Sequence, residues 1–139
     1  MKENISENKE KLKINILCVD DDSTTTFWYK RILPRIIAGT IKVFEKGEEL
    51  IKELNNSGVK YDIIITDRQM PKMDGLKVIE KVRETHPNMP IIVYTSGAND
   101  DEIEKIKKLG TVYLAKPVDK DILLKIIKEV IKNREAKPE

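Results

Sequence analysis

The chain has 139 residues, a length that suits one domain at roughly 100–200 residues each and leaves little room for a second. Apolar residues make up 40% and charged residues 36%, which fills a core beneath a charged surface and excludes disorder over the whole chain. Lys plus Arg number 26 against 24 Asp plus Glu, a net charge of +2 with both signs mixed along the chain, so bulk electrostatics argues for neither direct nucleic-acid binding nor an anionic membrane.

Residues 1–12 are polar and read as a flexible arm with no apolar stretch of the secretory kind. Residues 14–19 form a short, β-branched-rich run that stops at Asp20-Asp21-Asp22-Ser23, as a buried strand ending in a polar loop does. Asp22 and Ser23 suit the cap of a following helix, whose apolar spacing runs over residues 27–37 and contains Pro34, a residue that should kink or shorten it. Strand-like runs recur at residues 41–44, 63–66, 91–95 and 112–115. Between and after them, Leu50, Ile51 and Leu54, then Leu76, Ile79 and Val82, then Ile103, Ile106 and Leu109, and finally residues 122–131 keep three- and four-residue spacing. A domain over residues 13–132 is expected, with residues 133–139 as a frayed, charged tail.

Five alternating strand and helix units predict an α/β fold with a parallel sheet covered on both faces, because each parallel connection must cross over. Five are too few for an eight-stranded barrel. The expected fold is therefore a doubly wound, five-stranded parallel sheet, (βα)5 and flavodoxin-like, which binds ligands at the carboxyl ends of its strands near the topological switch point. The longest apolar runs fall far short of the ~20 residues that cross a bilayer. The single cysteine, Cys18, allows no internal disulfide and reads as a small core residue, which suits a reducing, cytoplasmic location.

The strand ends carry Asp20 and Asp21, then Asp67, then Thr95 and Ser96, then Lys116 and Pro117. In a parallel sheet these ends point the same way. Three carboxylates on one rim repel unless a hard cation or a lysine is present; such an oxygen-rich site suits Mg²⁺ (or Mn²⁺), with Lys116 as a further counter-ion.

The runs Leu17-Cys18-Val19-Asp20-Asp21-Asp22, Ile64 through Asp67-Arg68-Gln69-Met70-Pro71 to Asp74-Gly75, Val93-Tyr94-Thr95-Ser96 and Leu114-Ala115-Lys116-Pro117 resemble, in order and spacing, the receiver domain of two-component response regulators. The resemblance covers nearly the whole chain. It implies that Asp67 is the phospho-accepting aspartate and that Asp20 and Asp21 hold Mg²⁺, Asp21 more directly, together with Asp67 and the backbone carbonyl of Gln69. It further implies that Thr95 and Ser96 with Lys116 bind the phosphoryl group, that Tyr113 is the aromatic switch on the fifth strand, and that Met70, Pro71, Gly75 and Pro117 shape the loops.

The implied partners are a sensor histidine kinase or histidine phosphotransfer protein as donor and a downstream effector protein as reader, in phosphorelay signal transduction. The protein is expected to be a monomer or a phosphorylation-dependent dimer that catalyses only its own phosphorylation and dephosphorylation. Arg68 and Gln69 face the entrance, where they could tune hydrolysis. The lone histidine, His86, lies in a turn-rich segment away from the acidic rim and reads as a loop residue. In Phe27-Trp28-Tyr29 core packing competes with the role of an exposed docking anchor.

Three other functions compete. A receiver-like scaffold that works without phosphorylation keeps the same residues. A metal-dependent aspartyl-phosphate phosphohydrolase wants an acid two residues after the nucleophile, where this chain has Gln69. A flavodoxin-like cofactor carrier wants a Ser/Thr/Gly cradle where this chain has acids.

Overall fold

The computed structural model describes residues 11–136. In chain order it forms β1 (Ile16–Val19), α1 (Ser23–Ile36), β2 (Ile41–Phe44), α2 (Gly47–Asn56), β3 (Ile63–Thr66), α3 (Gly75–Thr85), β4 (Ile91–Thr95), α4 (Asp100–Lys108), β5 (Val112–Ala115) and α5 (Lys120–Ala136). All strand pairs are parallel and the sheet order is β2-β1-β3-β4-β5, the expected doubly wound arrangement.

The period-two alternation of each strand divides the core into two layers. Leu17, Ile64, Ile91 and Val93 pack with Leu50, Val78, Ile79 and Ile106 of α2, α3 and α4 on one face. Ile16, Cys18, Ile63, Ile65, Ile92 and Tyr94 pack with Tyr29, Leu33, Leu123 and Ile127 of α1 and α5 on the other. The three central strands are buried throughout, which is why their sequences are nearly continuous in β-branched residues, whereas β2 and β5 are edges and partly exposed.

Strand β1 begins at Ile16 rather than at residue 14, because the Asn15 side chain enters the hydrogen bonding in its place. It accepts from the Thr40 N–H at 2.8 Å and donates to the Lys60 carbonyl at 2.9 Å. Pro34 sits in the last turn of α1, where it forgoes the hydrogen bond to the carbonyl one turn earlier without breaking the helix, which ends two residues later at Ile36.

The helix α5 runs past the expected boundary at residue 132 and continues to Ala136. Residues 133–136 are thus a last helical turn and not a tail. Arg134 accounts for this by reaching across to Asp62, donating to its carbonyl at 3.1 Å and pairing with its carboxylate at 3.6 Å. Of the expected arm, Leu12 is described: it bridges to Ile37 and exchanges backbone hydrogen bonds with Ile36 and Ala38. Residues 1–10 and 137–139 lie outside the described residues. Among the described residues no helix is long and apolar enough to cross a membrane.

Candidate functional site

The order β2-β1-β3-β4 puts the topological switch between β1 and β3, because the connection leaving β1 runs to β2 and that leaving β3 runs to β4 in the opposite direction, so a crevice opens at the strand ends. Val19 pairs with Thr66, so Asp20 and Asp67 emerge as neighbours. The Asp67 N–H donates to the Val19 carbonyl at 3.1 Å, and the Asp20 N–H to the Phe44 carbonyl at 3.1 Å. Asp20 and Asp67 are buried and Asp21 is exposed; one carboxylate oxygen from each lies within 4.8 Å of the others.

Lys116 closes the group from β5. Its N–H donates to the Thr95 carbonyl at 2.9 Å, and its Nζ lies 2.7 Å from Asp20 Oδ2 and 3.5 Å from Asp67 Oδ2. The other Asp67 oxygen accepts from the backbone N–H of Arg68 at 2.7 Å and more weakly from that of Gln69 at 3.4 Å. The nucleophile expected from sequence is therefore held by main-chain donors on one oxygen and faces the lysine with the other.

Burial pushes the Asp20 carboxyl up to about 6, and the charge of Asp67 adds to this; the hydrogen bond from Lys116 and the Asp22 N–H pull it down. Burial lowers the Lys116 ammonium, but the hydrogen bond and charge of Asp20, with the charge of Asp67, outweigh it and hold that ammonium above its ordinary range. One ammonium against three carboxylates leaves net negative charge in a partly desolvated site. That donor set, all hard oxygen, fits a small divalent cation of the Mg²⁺ kind.

The loop after Asp67 is fixed by two local devices. Asp74 caps α3 through the Lys77 N–H at 3.0 Å, and Gly75 presses its backbone on that of Asp67, so a Cβ there would collide with the Asp67 carbonyl. Met70 is buried, while Gln69 and Pro71 are exposed and line, with Asp21, Arg68 and Asp74, a shallow cleft of about 420 Å³ beside the carboxylates. Arg68 turns away from the acids and pairs at 2.6 Å with Glu102 of α4.

Thr95 is buried at the end of β4, and Ser96 is exposed just beyond it. Tyr113 is half-buried on β5; Val93 pairs with it and Thr95 with Ala115, so Thr95 and Tyr113 share a sheet face on adjacent strands. Pro117 follows Lys116 through a cis peptide bond. Cys18 is wholly buried, and burial followed by the Asp20 charge raises its thiol, which fits a core residue. His86 caps the far end of α3, with Nδ1 2.8 Å from Thr85 Oγ1.

The aromatic run on α1 divides three ways: Tyr29 is wholly buried, Trp28 is half-buried, and Phe27 is 65% exposed. Sequence reasoning missed two neighbours of the site, Tyr94 and Glu102. Tyr94 reads as one more apolar residue of a buried strand. Glu102 sits at the third helical position after Asn99, a capping-box signature that the apolar spacing used for this helix did not draw on, and nothing in that signature reveals Arg68 as the partner.

The profile of the response regulator receiver domain matches residues 16–128. The DNA-binding transcriptional regulator NtrC of Proteus hauseri is 33% identical over 121 residues, 86% of this chain and 25% of that protein, so the chain spans about a quarter of the length of this relative. Among solved structures, a CheY-like response regulator receiver domain protein from Methanospirillum hungatei JF-1 superposes with a TM-score of 0.79 at 28% identity, over 90% of this chain and 98% of the other. The apo receiver domain of nitrogen regulatory protein C superposes with a TM-score of 0.74 at 28% identity, over 88% and 97%.

Proposed function

Because the chain belongs to the receiver domain family of response regulators, we propose that Asp67 accepts a phosphoryl group from a histidine kinase or histidine phosphotransfer protein and so controls an effector protein. The observation that carries this reading is the Lys116 ammonium bridging Asp20 and Asp67 in a cluster of three carboxylates. Asp20, Asp21, Asp67 and the Gln69 carbonyl would hold Mg²⁺, which neutralises charge on the phosphoryl group and the attacking carboxylate when bound.

A carboxylate attacks a phosphoryl group poorly because both are anionic, so the protein must align the two and offset their charge. The backbone donors of Arg68 and Gln69 fix Asp67 with Oδ2 turned toward Lys116. An Asp67 oxygen forms the new O–P bond as the N–P bond of the phosphohistidine breaks, and the departing imidazole takes up a proton. Lys116 pairs with one phosphoryl oxygen and the Thr95 hydroxyl donates to another, with Ser96 at the mouth of the same loop. The acyl phosphate adds about −1.5 to −2 charges; Thr95 drawn toward it frees space for Tyr113 to turn inward, which alters the surface of α4, β5 and α5. Hydrolysis by water returns Asp67 to the carboxylate, so the protein catalyses only its own cycle, in the cytoplasm and as a monomer or phosphorylation-dependent dimer.

The phosphohydrolase reading wants an acid at position 69, and the exposed Gln69 disfavours it. Acetyl phosphate with Mg²⁺, followed by intact mass, tests the proposal. One phosphoryl increment is expected on the wild type and none on Asp67→Asn. A wild type that takes up no phosphoryl group under conditions where Mg²⁺ binds would support the scaffold reading instead.

A further inference from the structure

We propose that Tyr94 is a positioning residue for Lys116, holding its ammonium over the carboxylates by the face of the ring and its loop by the hydroxyl; this rests on Lys116 acting on the phosphoryl group as proposed above. Tyr94 lies on the α1/α5 face of the sheet with Ile92 and pairs with Leu114 of β5 on that face, and Lys116 follows two residues later, just past the end of the strand. The Lys116 Nζ sits 5.6 Å from the centroid of the Tyr94 ring, within reach of the electron-rich ring face. The Tyr94 hydroxyl accepts from the Val118 N–H at 3.1 Å and so ties down the loop just past Lys116.

The ring itself is braced. Trp28 stacks on it at 5.7 Å and 29°, and Tyr29 meets it at 6.3 Å and 58°, with Trp28 and Tyr29 5.6 Å apart. Tyr94 is only 3% exposed, so it cannot turn without displacing α1. A lysine on a four-carbon stem has many rotamers, and the carboxylates alone leave its approach open. An uncharged aromatic face narrows that choice without consuming the charge, which a third acid beside the ammonium would do. An aliphatic residue would fill the same space and provide neither the ring face nor the loop tether.

The test measures beryllofluoride affinity of the full chain in saturating Mg²⁺, by amide shifts, for wild type, Tyr94→Leu and Tyr94→Phe, each also with Lys116→Ala. Expected are a loss of about 3–10-fold for Tyr94→Leu, recovery of most of it by Tyr94→Phe, an unchanged Mg²⁺ affinity, and no further loss from Tyr94→Leu once Lys116 is alanine. Equal losses in both backgrounds would show that Tyr94 only packs, and a wild-type affinity for Tyr94→Leu would equally overturn the proposal. If Tyr94→Leu does not fold, Tyr94→Met, an adaptable apolar filler, carries the same comparison. A wild type that binds Mg²⁺ but no beryllofluoride would instead overturn the phosphoacceptor reading beneath it.

Discussion

Asp20 is the side chain in which stability and function pull apart most clearly. In the metal-free fold its carboxyl lies at about 6, above the unfolded value of about 3.9, so the folded state holds more protons between those values. Stability from this group is therefore greatest at low pH and declines as pH rises through about 6. On the proposed function Mg²⁺ binds the ionised group and stabilises by mass action, so its effect should run the other way. Thermal melts with and without Mg²⁺ should show a larger metal-dependent rise near pH 7.5 than near pH 5, and Asp20→Asn should flatten both trends. Gly75 makes the companion case: an added Cβ meets the Asp67 carbonyl, and overpacking of this kind costs about 1–3 kcal/mol. Urea unfolding of Gly75→Ala should show that loss, together with, on the proposed function, slower phosphorylation by acetyl phosphate because Asp67 is displaced.

Helix α4 is held at its start by one side chain serving two partners. Glu102 accepts the Asn99 N–H at 2.9 Å, Asn99 returns the bond to the Glu102 N–H at 2.9 Å, and the second Glu102 oxygen takes the Arg68 ion pair. Arg68 is the residue next to Asp67, so the helix and the loop that follows Asp67 share a tether. Glu102→Ala should cost about 0.5–2 kcal/mol by loss of the cap and should raise hydrogen exchange over residues 99–103 more than elsewhere. The capping box was readable in the sequence because its two members are local, although the helix was expected from apolar spacing alone. The ion pair was not, since nothing in a charge pattern tells a surface glutamate which distant arginine the fold brings to it. The same limit hid the last turn of α5: charged residues at a chain end read as a tail until Asp62 is known to lie beside Arg134.

At the scale of the whole molecule, sequence reasoning reached the architecture because five strand runs are short, β-branched and bounded by polar turns, and because parallel strands have few ways to connect. The rim followed from that architecture, since parallel strands deliver their carboxyl ends to one edge. Tyr94 stayed hidden because a strand buried on both faces loses the alternation that separates a core ring from one facing a site. Both faces of this sheet are load carriers, and Ile64→Ala, which empties space in the layer under α2 and α3, should cost about 2–5 kcal/mol in urea unfolding while leaving beryllofluoride affinity of the folded protein near wild type. The central claim is that Asp67, through the metal and Lys116, drives a change that reaches Tyr113. The most direct measurement adds Mg²⁺ and then beryllofluoride to the full chain and follows amide shifts together with the fluorescence of Trp28, the only tryptophan, in wild type and Asp67→Asn. Saturable, Mg²⁺-dependent shifts at Thr95, Tyr113 and Lys116 that vanish in Asp67→Asn are the predicted result; shifts confined to residues 20, 21 and 67, or surviving that substitution, would contradict it.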